Sequence, residues 1–179
     1  GKFMTQGEAN GHDPAILENI WKDWEKFASY AFNKSHATCY SWVAYQTAYL
    51  KAHYPAEFMA AVLNSSIRDS KEVVFMIDEC KRMKIDVLGP SVNESEYKFT
   101  VNQNGQICFG MGAVKSVGEV VVQAITEERD ANGKFKDFAD FLIRMSGKGV
   151  SRKSIEALAA VGVFDCFEGM HRAMFYHIA

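Results

Sequence analysis

Behind Asp13-Pro14 the apolar residues recur at every third or fourth position: Ile16, Leu17, Ile20, Trp21, Trp24, Phe27, Ala28 and Ala31. That spacing lays one wide apolar stripe along a helix. Asp13 offers a side-chain acceptor to orphan amides and Pro14 stands where a missing N–H costs nothing, so the pair marks the helix start. Phe32-Asn33-Lys34-Ser35 interrupts the stripe. A second helix is predicted from His36 to about Ala52, with Ser35 as its cap. Tyr54-Pro55 ends it, and Pro55 can open a third helix through about Ser65. Asp69-Ser70 can cap a fourth, carrying Val73, Val74, Phe75, Ile77, Cys80 and Met83. Ile85 to Leu88 reads as a short strand.

The pattern changes at Gly89-Pro90-Ser91-Val92-Asn93-Glu94-Ser95, a loop of turn residues and the expected domain boundary, giving 1–90 and 91–179. Tyr97 to Val101 and Gln106 to Phe109 flank Asn102-Gln103-Asn104-Gly105, which predicts a β-hairpin with a glycine-bearing turn. Helices are predicted again over about Gly118–Arg129, Asp137–Met145, Ser151–Val161 and Glu168–Ile178. The expected fold is therefore mainly α, a helical segment followed by a short β-hairpin and a second helical region.

Composition narrows the functional classes. Hydrophobic residues make up 48% and charged residues 23% of the 179, which suits a packed globular chain rather than a disordered one. Lys and Arg total 20 against 22 acids, so a globally basic nucleic-acid coat is excluded while local patches remain possible. No apolar run approaches a membrane span, and the start Gly1-Lys2-Phe3-Met4 does not read as a signal peptide. The four cysteines never form C-x-x-C, which argues against a zinc site or disulfide framework and for a reducing cytoplasm. Sequence motifs for a phosphate loop, a zinc protease or a serine hydrolase are absent. No catalytic residue, metal ligand or cofactor is assigned from the sequence.

Two stretches carry candidate chemistry. Lys26 to Ala56 contains no acid and holds Lys26, Lys34, Lys51, His36, His53 and five of the seven tyrosines: Tyr30, Tyr40, Tyr45, Tyr49 and Tyr54. An acid-free, ring-rich surface suits a polyanion with stackable bases. Asn33, Lys34, Ser35 and His36 stand at the predicted helix start, where unpaired amides attract phosphate. Trp42, Tyr45 and Tyr49 at helical spacing suit a core equally well. The second stretch is Phe109-Gly110-Met111-Gly112-Ala113-Val114-Lys115-Ser116-Val117-Gly118-Glu119, a short helix, a tight turn and a helix start. This is the helix-hairpin-helix pattern, whose hairpin amides can meet a DNA phosphate closely. Leu158-Ala159-Ala160-Val161-Gly162-Val163-Phe164 is a second, degenerate copy. Between them Arg144, Lys148, Arg152 and Lys153 supply four cations in ten acid-free positions.

Phe32-Asn33-Lys34-Ser35-His36-Ala37, Tyr40 and Ala44-Tyr45-Gln46-Thr47-Ala48-Tyr49-Leu50-Lys51-Ala52-His53-Tyr54-Pro55-Ala56-Glu57-Phe58-Met59-Ala60-Ala61 closely resemble the fingers of the C-family replicative polymerases, the alpha subunits of bacterial DNA polymerase III. The resemblance continues through Glu79–Met83, Val92–Ser95, Phe109–Lys115 and Arg152–Leu158 in the family's order. It implies that residues 1–90 are the C-terminal part of the fingers. It implies that 91–179 are the β-hairpin and tandem helix-hairpin-helix opening a clamp-binding domain. Expected partners are primer-template DNA, deoxynucleoside triphosphates, the remaining polymerase domains and a sliding clamp reached through segments beyond Ala179, with no membrane. The palm that carries the family's catalytic aspartates, and hence Mg2+, has no counterpart in these residues. The family's usual glycine in the first hairpin is Ser116 here, and Lys84 and Gly89 stand where Gly and Pro are common. Asn33 places the chain in the branch that lacks Pro at that position.

On this reading Asn33, Lys34, Ser35 and His36 are candidate nucleotide or phosphate ligands. Lys115, Ser116, Val117, Gly118, Lys148, Arg152, Lys153 and Gly162 are candidate duplex-backbone ligands. Two other classes stay open: a stand-alone, non-catalytic helix-hairpin-helix accessory module, and a structural interaction domain with its tyrosines in the core.

Overall fold

A computed structural model of the chain describes residues 1–29, 34–169 and 171–178. The chain divides into two compact units, Gly1–Ala48 and Tyr49–Ala179. The expected boundary at 90/91 concerns family domains. The compact units part earlier, within the third helix.

The first unit holds α1 (Lys2–Ala9), α2 (Pro14–Ser29) and the start of α3 (Lys34–His53). The helix α1 was not anticipated from the sequence. It packs on α2 through Gly7, where a Cβ would come within 2.6 Å of the Leu17 side chain. Phe3 sets its ring 5.0 Å from Trp24 and 5.8 Å from Trp21. Asp13 caps α2 as expected, its Oδ1 accepting from the Ala15 amide at 2.8 Å. Leu17 is buried, whereas Ile16, Ile20, Trp21, Trp24 and Phe27 of the predicted stripe are exposed. Lys34 and Ser35 already lie within α3, ahead of the predicted start, so Ser35 is a helical residue and not its cap. Asn33 lies outside the described residues.

The second unit continues with α4 (Pro55–Ser65), α5 (Ser70–Arg82), β1 (Val87–Leu88), β2 (Thr100–Val101) and β3 (Ile107–Cys108). A 3-10 turn over Met111–Ala113 leads to α6 (Glu119–Asn132), α7 (Phe138–Met145), α8 (Arg152–Ala160) and α9 (Arg172–Ile178). The caps act as their residue types dictate: Asp69 accepts from Lys71 and Glu72, Asp137 from Asp140, and Ser151 from Ser154. The predicted hairpin forms, with Thr100 opposite Cys108 and Val101 opposite Ile107. Its turn closes through Gly105, at φ +73. The expected strand over Ile85–Leu88 shortens to β1, which adds to β3 in parallel to make a three-stranded sheet ordered β1-β3-β2. The last helix starts four residues later than predicted, because the chain first turns at Gly169 (φ +77) after burying Phe167.

Two apolar clusters support this unit. Met59, Leu63, Val73, Cys80, Phe99 and Ile107 join α4 and α5 to the sheet. Val92, Met111, Val117, Val122, Phe138, Phe141, Leu158 and Phe164 belong to a larger cluster beneath the helices that follow. Phe109 packs against both. Two asparagine amides stand in for β-pairing. Asn64 donates to the Phe99 carbonyl and accepts from its amide, both at 2.8 Å. Asn93 does the same to Phe135, at 2.9 and 2.8 Å.

Candidate nucleic-acid interface

The first hairpin begins where the 3-10 turn ends. Gly110 and Gly112 precede it for reasons of packing: a Cβ on Gly110 would meet the Phe99 amide nitrogen at 2.6 Å, and one on Gly112 the Tyr97 ring at 2.7 Å. Lys115 and Ser116 are exposed, and Ser116 takes the left-handed conformation at φ +70. Val117 turns inward to the larger core, and Gly118 is the N-cap of α6. A Cβ on Gly118 would meet nothing within 4 Å, so a ligand can come against the backbone there.

The second hairpin repeats the geometry. At the end of α8 the Gly162 amide bonds the Ala159 carbonyl at 3.0 Å and the Val163 amide bonds that of Leu158 at 3.1 Å, a Schellman closure. Gly162 has φ +88, Val163 is buried like its counterpart Val117, and the Val163 carbonyl accepts from the Val92 amide at 2.9 Å. Access differs. The Arg172 guanidinium lies across Gly162, gripping Asp165 through Nε at 2.9 and 3.0 Å, and holds that carboxyl below its usual range. Phe164 at the last motif position is buried, and no helix starts beside it.

The basic stretch between the hairpins is divided by its partners. Arg144, 15% exposed, bonds Glu128 at 2.9 Å and Asp140 at 3.2 Å and lies 4.2 Å from the Phe135 ring centre. Lys148 binds the other oxygen of Glu128. Hydrogen bonds from Lys148, Arg144 and Asn132 hold the buried Glu128 carboxyl down at about 2. Arg152 pairs with Glu156 at 2.9 Å. Lys115 and Lys153 enter no ion pair among the described residues.

Arg68 and Lys71, not singled out by the sequence pattern, line a cleft together with the first hairpin. A cleft of about 680 Å³ is lined by Ile67-Arg68-Asp69-Ser70-Lys71 and by Gly112 to Glu119, together with Tyr97. The signal available in the sequence is the short α4–α5 break itself, whose Asp69-Ser70 pair also marks a helix cap.

In the first unit Lys34, Ser35 and His36 lie exposed on α3, and the His36 ring lies 4.3 Å from that of Tyr40. Trp42 and Tyr45 are 63% and 64% exposed, and Tyr49, the first residue of the second unit, is 47% exposed. The core alternative for these rings is therefore overturned: α3 buries none of its side chains. Lys51 pairs with Glu79 at 3.1 Å. Among the described residues no three His, Cys, Asp or Glu cluster as a metal site, and no helix is long and apolar enough to cross a membrane.

A family model described as the helix-hairpin-helix motif matches residues 84–174, the stretch that contains both hairpins, and the chain belongs to that family. Its relatives are more particular. The chain is 46% identical to the DNA polymerase III subunit alpha of Vibrio cholerae over 171 residues, 96% of this chain and 15% of the relative. It is 48% identical to that of Chlamydia trachomatis over 167 residues, covering 93% and 13%, and 44% identical to that of Escherichia coli K12 over 171 residues, covering 96% and 15%. The chain thus spans about one-seventh of the length of these curated relatives, and the similarity extends well ahead of the hairpins.

Proposed function

We propose that the chain is part of the polymerising subunit of a bacterial replicative DNA polymerase, a DNA-directed nucleotidyltransferase working in the cytoplasm. The observation that carries this reading is identity of 44–48% over 93–96% of the chain, on both sides of residue 84, to proteins named DNA polymerase III subunit alpha. A stand-alone helix-hairpin-helix accessory module accounts for the hairpins but not for the similarity before them.

Residues 1–90 serve as the C-terminal part of the fingers, where Asn33, Lys34, Ser35 and His36 offer polar and positive groups to the incoming triphosphate or a nearby template phosphate. Residues 91–179 hold the duplex by its backbone, without reading bases. The open Gly118 edge and Lys115 support the first hairpin in that role. Metal-assisted transfer belongs to carboxylates outside these residues, with Mg2+ bound there. Primer-template, deoxynucleoside triphosphates, the other polymerase domains and, past Ala179, a sliding clamp are the partners.

Primer extension by the full-length gene product tests the reading. Template-directed incorporation is expected, with a nucleotide KM raised several-fold by Lys34→Ala with His36→Ala. Duplex binding without incorporation overturns it in favour of the accessory module.

A further inference from the structure

The cleft beside the first hairpin has a charge arrangement that the hairpin motif does not require. Arg68 comes from the α4–α5 turn and Lys71 from the first turn of α5, while Lys115 comes from the hairpin about 45 residues later. All three are exposed, and no ion pair among the described residues engages them. Elsewhere in the unit the cations Arg129, Arg144, Lys148 and Arg172 are held by carboxylates. Two carboxylates also line the cleft, Asp69 and Glu119. Asp69 is occupied: its Oδ1 accepts from the Lys71 and Glu72 amides at 3.0 and 3.3 Å, which fixes it to the start of α5. Three cations against two carboxylates leave the lining one positive charge in excess. The hydroxyls of Ser70 and Ser116 add neutral donors, whereas the apolar Val117 is withdrawn into the core.

We propose that this cleft is a seat for the sugar–phosphate backbone of one DNA strand, with Arg68 and Lys71 as phosphate ligands together with Lys115. The proposal deepens, and rests on, the duplex-backbone reading of the first hairpin. Arg68 suits the role because its planar fork can bond two phosphate oxygens at once, while Lys71 and Lys115 act as point charges on the flanks. The backbone at Gly118 closes the same wall, so a strand leaving the hairpin passes the α4–α5 turn. This seat is a property of this chain's own side chains and adds ionic contacts that carry no base specificity.

The test measures duplex affinity of the full-length gene product across a salt series, with a short duplex of mixed sequence. Each phosphate neutralised contributes about 0.9 to the log–log salt slope, so Arg68→Gln with Lys71→Gln is expected to lower the slope by about 1.8 and to weaken binding several-fold for every sequence. Arg68→Lys with Lys71→Arg keeps the charge and is expected to keep the slope. Thermal unfolding of each variant at the wild-type midpoint shows that the fold is intact. A wild-type slope in the Gln pair, with binding still lost in Lys115→Ala, overturns the seat and leaves the hairpin reading standing. Unchanged binding in both overturns both. Inorganic phosphate or a deoxynucleoside triphosphate titrated alone is the second arm. Loss of its binding in the Gln pair, with the duplex slope intact, assigns the site to a free anion and overturns the strand seat.

Discussion

Ser116 and Gly162 occupy the same place in the two hairpins, each left-handed, at φ +70 and +88, and each followed by a buried valine. The backbone demand is equal, and only the second site meets it with glycine. A non-glycine residue in this conformation costs about 1–2 kcal/mol. Glycine in turn loses more backbone entropy on folding, by about 0.5–1 kcal/mol. Ser116→Gly is therefore expected to leave stability unchanged or raise it by up to about 1 kcal/mol, while the β-branched Ser116→Val lowers it by about 1–2 kcal/mol. Denaturant unfolding of the two variants and the unsubstituted protein checks the order.

Gly162→Ala faces two obstacles, the positive φ and the Arg172–Asp165 pair lying over it, with Asp165 Oδ2 at 2.7 Å from the new methyl. A loss of about 2–3 kcal/mol is expected. Arg172→Ala clears much of the space, so the double variant is expected to lose less than the sum of the singles. A double-mutant cycle on unfolding free energies measures that coupling.

The Glu128 carboxyl has an ordinary value of 4.5 and is held at about 2 by Lys148, Arg144 and Asn132. A carboxylate whose folded value is depressed stabilises fully above its unfolded value, and that contribution drains away as pH falls towards the folded value. Stability is thus expected to fall from about pH 5 to about pH 2, with a shallower slope in Glu128→Gln. Asp140 and Asp165 are also lowered, by the Lys136 amide and by Arg172, so a residual slope persists in that variant. Unfolding midpoints across this range provide the measurement.

Of the four cations within residues 144–153, Lys153 alone lacks a carboxylate among the described residues. Lys153→Ala is expected to lower the salt slope of duplex binding by about 0.9. Lys148→Ala is expected to destabilise the fold, by stripping Glu128 of a partner, with little change in slope. Parallel salt titrations and melts separate these outcomes.

Asn93 bonds both the amide and the carbonyl of Phe135, 42 residues away. Asn93→Ala strands two backbone groups at a buried residue, for an expected loss of about 2–3 kcal/mol. Asn93→Asp keeps the acceptor and is expected to lose less at neutral pH. Chemical denaturation compares them.

The sequence alone determined the elements whose causes act within a turn or two. Asp13, Asp69, Asp137 and Ser151 cap helices because each reaches an amide two or three residues on, and Asn102 to Gly105 turn the hairpin by their own backbone preferences. The paired hairpins were legible for the same reason, since a left-handed residue and an inward valine are local needs. Only the tertiary structure decided which charges remain available. Lys148 and Arg144 lie beside Lys153 in the sequence, yet folding brings Glu128 to them from 20 and 16 residues away. Folding likewise lays Arg172 across Gly162 and brings Arg68 and Lys71 to the cleft that Lys115 lines. Ion pairing and access depend on distance in space, and that distance exists only after the apolar clusters have closed the chain upon itself.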